Sequence, residues 1–207
     1  MKTLLVLILA LLDLTASGQN LPPKVDIHTW KPPYKLLIPK EWTTERFTIP
    51  IDFAPQISYK GIEDLRFAPG WAKRTSAEYW SYAYLWWLEG NLPTNAASLQ
   101  KDLTAYYTGL VARNIADRHI MMQKEIPTAV SIKKLPKSAA GDDVFGGTIT
   151  MLDYMAQKSI TLNCLIQVTK CRHYNRTAVL IEVSPKATGH TVWQTLHSIQ
   201  SSFVCNN

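Results

Sequence analysis

The side chains of this sequence whose types and placement could do chemistry are few. They are Asp153 and Glu182 inside strand-like stretches, three cysteines, five histidines, and the aromatic run SAEYWSYAYLWWLEG at 76–90. Paired carboxylates could serve as acid and base of a hydrolase. Strand alternation puts Asp153 between Met151 and Met155 on the apolar side of a sheet, where a carboxylate must be paired or hydrogen-bonded to be tolerated. That makes Asp153 a candidate functional carboxylate. The ordinary alternatives are a structural ion pair, or a slipped turn that returns Asp153 to solvent. The expected hairpin register pairs Glu182 with Gln167 and sets it on the other face, which counts against a hydrolase built on the two.

Cys164 and Cys171 are seven residues apart in one strand-like run, so they point to opposite faces and cannot bridge within a regular strand. Cys164 falls in with Ile160, Leu162, Ile166 and Val168, and reads as a buried thiol acting as a small hydrophobe. Cys171 and Cys205 are then the candidate disulfide, the other possibility being two free or intermolecular thiols. No Cys/His spacing suggests zinc. Asp142-Asp143 lacks the remaining positions of a calcium loop. His28, His119, His173, His190 and His197 show no serine or cysteine partner, so no catalytic residue is assigned. His197 lies four residues beyond Trp193, the spacing of ring-on-ring packing. The aromatic run places Trp80, Tyr82, Tyr84 and Trp86 on one face of a strand. Such a row is either a flat platform for a sugar ring, and so a candidate ligand site, or a core face under a helix.

The elements that must position these residues are strands and two helices. FTIPI (47–51) and DLRFA (64–68) read as strands, followed by the aromatic strand. Thr94 or Asn95 offers an N-cap for a helix over about 95–114, with Leu99, Leu103 and Tyr106 at helical spacing. Gly109 costs this helix about 1 kcal/mol relative to Ala and points to close packing there. Strands over about 127–135, 145–156, 159–171 and 177–184 follow. Turns are expected at Gln157-Lys158 and at Tyr174-Asn175, the latter inside the glycosylation tripeptide Asn175-Arg176-Thr177. Gly146-Gly147 reads as a bulge or turn. Val192, Leu196, Ile199 and Phe203 form the apolar stripe of a C-terminal helix over about 190–204. Without regular alternation of strand and helix, the class is α+β with a mostly antiparallel sheet.

The first 18 residues, with Lys2, the apolar run Leu4–Leu12 and the small residues Ala16, Ser17 and Gly18, read as a secretory signal peptide. The run is too short to span a bilayer. Cleavage after Ser17 or Gly18 leaves a Pro-rich extended arm over 19–46 and a single α+β domain over 47–207. The expected location is secreted or periplasmic, with no membrane span after cleavage. The net charge of +6 on 207 residues is scattered rather than gathered in a stripe, so no nucleic-acid partner is expected. No phosphate-binding or nucleophile motif appears, and no cofactor is expected.

The order of elements and the ending LHSIQSSFVC resemble the PsbP-like α/β/α sandwich over roughly 46–205. The resemblance implies helices on both faces of the sheet, a buried ring ladder, and a binding or assembly role. The first expectation is therefore a non-enzymatic binding or accessory protein with a protein or glycan ligand. The alternatives are a carbohydrate-binding module using the aromatic strand and a carboxylate hydrolase.

Overall fold

The computed structural model describes residues 26–27, 29–121 and 126–205. The leader reading of residues 1–18 and His28 lie outside them. Seven strands form one sheet in the order β2-β3-β4-β8-β7-β6-β5, and every neighbouring pair is antiparallel. They are β2 (Thr43–Ile49), β3 (Gly61–Phe67), β4 (Tyr82–Glu89), β5 (Ala129–Leu135), β6 (Asp143–Asp153), β7 (Lys158–Cys171) and β8 (Arg176–Ser184). Two short strands, β1 (Tyr34–Lys35) and β9 (Val204–Cys205), pair with each other. The fold is α+β and mostly sheet. Among the described residues no helix is long and apolar enough to cross a membrane.

Helix α1 (Ala96–Asp117) lies on one face and α2 (Val192–Ser201) on the other. Asn95 caps α1: its side chain accepts from the Ser98 amide at 3.0 Å, and Ser98 Oγ accepts from the Asn95 amide at 3.0 Å. Leu99, Leu103, Tyr106, Tyr107 and Val111 then face the sheet. Gly109 lets the helix meet the chain at Phe53, where an added Cβ would stand 1.8 Å from the Phe53 carbonyl oxygen.

Several local expectations change. The C-terminal helix stops at Ser201 rather than near 204, because Val204–Cys205 turns back to pair with Tyr34–Lys35. Both hairpin loops hold four residues instead of two. Asp153 pairs with Lys158, and Cys171 with Arg176. Gln157 (φ 53°) and Asn175 (φ 47°) take the left-handed conformation that closes these loops. The pairing of β7 with β8 consequently slides by two residues and that of β6 with β7 by four. Ile166 faces Ile181, and Glu182 faces Leu165 rather than Gln167. Even slips leave every side chain on its expected face. Gly146 and Gly147 sit inside β6 rather than in a bulge, and a Cβ on Gly147 would stand 1.8 Å from the Ser131 carbonyl oxygen of β5.

Candidate functional site

The expected platform is core. Trp80, Tyr82, Tyr84 and Trp86 are 1%, 3%, 0% and 1% exposed, so no row of rings faces water and a sugar cannot stack on them. The reason is α1, whose Tyr106 stacks on Tyr84 (centroids 5.5 Å, planes 10° apart) and whose Tyr107 hydroxyl lies 2.9 Å from that of Tyr82. Trp80 precedes β4 and has φ 54°, yet its ring stays on the α1 face with the others.

Asp153 is fully buried on that same face. It caps its own turn, accepting from the amides of Met155 (3.0 Å) and Ala156 (2.9 Å) and from the Tyr79 hydroxyl (2.8 Å). Its polar capacity is thus spent on structure. Glu182 lies on the α2 face, 2.9 Å from His197 Nδ1. Burial raises the Glu182 carboxyl above its ordinary range, and that hydrogen bond raises His197. Asp153 and Glu182 therefore lie on opposite faces of the sheet and share no cleft. Cys171 and Cys205 are joined, with Cα atoms 5.9 Å apart, while Cys164 is a buried free thiol. Among the described residues no cluster of three or more His, Cys, Asp or Glu is placed to hold a metal ion.

A different site emerges where α1 runs out of sheet to cover. Seven strands span roughly 29 Å, whereas one helix is about 10 Å across. Helix α1 packs over β5 and β6. The chain between β2 and β3 roofs part of the rest through Ile51, Ala54 and Ile57. Between roof and helix remains a cleft of about 180 Å³. Glu63, Leu65 and Phe67 of β3 and Tyr82 of β4 line it, together with Phe53, Tyr106 and Leu110. Trp71, Trp80 and Tyr154 line it as well, and the edge strand contributes Glu45 and Phe47. The rings brace one another: Phe67 and Trp71 centroids are 4.6 Å apart, Trp80 and Tyr154 5.1 Å, Phe53 and Tyr106 5.2 Å.

Glu63 is the unusual member. It is 1% exposed, and its Oε1 accepts from the Trp86 indole at 3.0 Å, while Oε2 has no hydrogen-bond partner. Burial pushes its carboxyl up to about 7, against the pull of the Trp86 indole and the nearby Tyr106 hydroxyl, and the Glu45 carboxylate pushes the same way as burial. The indole N–H of Trp80 is also buried without a partner. No lysine, arginine, histidine, serine or cysteine lines the cleft.

Of the other buried acids, Glu182 also has an oxygen, Oε1, without a hydrogen-bond partner, but its Oε2 meets the His197 imidazole. Asp64 accepts from Arg66 at 2.5 and 3.1 Å, from Arg46 at 3.0 Å and from the Tyr34 hydroxyl at 2.8 Å. Asp102 accepts from the Tyr59 hydroxyl at 2.8 Å. A wider hollow of about 410 Å³ by Trp30, Trp87 and Tyr174 has Arg176 paired with Glu89 at 3.2 Å and no buried side chain lacking a partner. The sequence marked Trp80 and Tyr82, which do line the cleft, but not Glu63, which lies just before the strand expected over 64–68 and inside β3 in the structure. In comparisons with protein-family models, curated proteins and solved structures, nothing matches this chain.

Proposed function

We propose that this is an exported, non-enzymatic binding protein that captures a small, largely apolar ligand in the cleft beside α1. One observation carries the reading: a fully buried carboxyl, Glu63, lines an aromatic cleft with one oxygen left without a partner. Buried polar atoms are nearly always satisfied, and the exceptions call for an explanation such as a missing ligand. The cleft is smaller than the 300–1,000 Å³ typical of sites for drug-sized ligands, so the ligand is small. Capture is the reading taken, since no histidine, serine, cysteine or lysine lines the cleft.

Two further features support an exported accessory role. The leader-like start supports export, and a disulfide between Cys171 and Cys205 fits an oxidising compartment. The PsbP-like resemblance, a family of mostly binding and assembly factors, points the same way. Mass spectrometry of the exported chain tests the first, with Gly18 or Gln19 expected as the new N-terminus.

The binding reading is tested by saturation-transfer NMR with a panel of small aromatic and aliphatic compounds, neutral and charged. Wild type should saturate at least one class, and Leu110→Trp, which fills the cleft from α1, should abolish that signal at an unchanged melting temperature. Silence across the panel, or equal signal from Leu110→Trp, would sink the reading.

A further inference from the structure

We propose that the cleft takes a small organic cation, an alkyl- or aryl-ammonium, with its charged head at Glu63 and its apolar body against the ring faces. This rests on the cleft being a ligand site and adds the chemical class. The polar side chains say what is missing. Asp64 meets two arginines, Asp153 two amides and a tyrosine, and Asp102 the Tyr59 hydroxyl, while Glu182, which also keeps one buried oxygen without a partner, has the basic His197 imidazole beside it. Glu63 has the Trp86 indole as donor and the Tyr106 hydroxyl nearby, keeps one oxygen without a hydrogen-bond partner, and has no basic group beside it. What would complete it is a positive group that the protein does not supply.

The lining of the cleft selects the same class. The ionisable acids lining the cleft are both glutamates, Glu45 and Glu63, and no basic residue lines it, so an anion is repelled. The walls are the rings of Phe53, Phe67, Trp71, Tyr82 and Tyr106, and of Tyr154, over which the Arg118 guanidinium already lies at 5.2 Å. Aromatic faces carry negative potential and attract an ammonium lying over them, most strongly when water is excluded. A neutral ligand would use the ring contacts but leave the carboxylate uncompensated.

The arrangement also couples capture to protons. Facing Glu63 are Glu45 from β2, Tyr82 and Tyr84 from β4, and Tyr106 from α1, whose hydroxyls stay protonated well above their ordinary range because they are buried. Glu63 is therefore the group that changes charge near neutrality, and cation binding should strengthen as pH rises through about 7.

The test is calorimetric titration of the mature, disulfide-bonded chain with benzyltrimethylammonium, benzyl alcohol and benzoate at about pH 5.5 and 8.5. The quaternary head has no proton to lose, so any pH dependence belongs to the protein. At the higher pH the cation should bind about tenfold more tightly than the alcohol or the benzoate. Its own affinity should weaken by a similar factor at the lower pH. Glu63→Gln should bring the cation down to the level of the alcohol and remove the pH dependence. Should Glu63→Gln fail to fold, Glu45→Gln at the exposed edge should still weaken the cation about two- to fivefold without touching the alcohol. Alcohol or benzoate matching the cation, or a cation affinity indifferent to pH, overturns the ammonium assignment and leaves the cleft a ligand site. If no probe binds at either pH and none of the NMR panel is saturated, both readings fall.

Discussion

Glu63 also sets a measurable pH dependence of stability. Its carboxyl titrates at about 7 in the fold against 4.5 for the free group, so the native state binds this proton more tightly than the unfolded chain does. Its contribution is fully present below about pH 4.5 and is lost as pH rises to about 7, a loss on the order of 3 kcal/mol. Glu63→Gln keeps the shape and the polar head but cannot ionise. Between about pH 4 and pH 8, urea unfolding should show the variant gaining roughly 3 kcal/mol on wild type. Parallel stability curves would mean that the carboxyl is not desolvated. Nothing in the residues around Glu63 announces this. Along Ile62-Glu63-Asp64-Leu65-Arg66-Phe67 each face of the strand carries a charge, so no alternation shows that β3 is covered on both sides. Its burial follows from the sheet order, with β3 between β2 and β4 under the cover of both faces. Asp153, by contrast, was legible, because its face depends only on parity and both hairpin slips were even.

At the scale of elements, the packing of α1 on the aromatic strand decides what the ring ladder does. The alternation of rings was readable from sequence. Whether they met water or a helix depended on where α1 lands, which a single sequence does not state. Acrylamide quenching gives a direct check: replacing Trp80 or Trp86 by Phe removes a shielded fluorophore, so the remaining average quenching should stay level or rise. A fall would mean that the removed ring had been exposed. The buried hydroxyl chain of Tyr82, Tyr107 and Tyr84, spaced 2.9 and 3.3 Å, ties helix to strand. Tyr107→Phe leaves two buried hydroxyls short of a partner and should cost on the order of 1–3 kcal/mol in urea unfolding. An unchanged midpoint would show that the hydroxyls find other partners. Gly109→Ala makes propensity and packing compete. The methyl would add about 1 kcal/mol of helix propensity, yet it would enter the space of the Phe53 carbonyl. Packing should win, with a net loss of roughly 1–3 kcal/mol and a displaced Phe53 wall that weakens cleft binding. A more stable variant would show that the 50–60 segment gives way freely.

Across the whole molecule, the two ends of the described chain close on the face opposite the cleft. Tyr34 sits at the centre of this closure. Its ring lies 5.0 Å from Trp87 and 5.8 Å from Phe203, its hydroxyl donates to buried Asp64 at 2.8 Å, and its backbone pairs with Cys205. The Leu37 amide reaches Ser202 Oγ at 2.8 Å. A ladder of two residues on each side is too short to hold by itself. What fixes it is the apolar cluster of Tyr34, Leu85, Trp87, Ala178 and Leu180 beneath, and the Cys171–Cys205 bond beside it. That bond spans 34 residues of sequence. On the loop-entropy model it restricts the unfolded chain by roughly 3–4 kcal/mol. Cys171→Ser combined with Cys205→Ser should therefore lower the unfolding free energy by about that amount. Hydrogen exchange should show the loss unevenly. Amides near Tyr34 and Cys205 should exchange faster together, while those of α1, β6 and β7 keep their order of protection. The cleft lies across the sheet from this closure, so probe binding should survive in the folded variant. Uniform acceleration across the chain, or loss of binding along with the bond, would show instead that the two faces open as one cooperative unit.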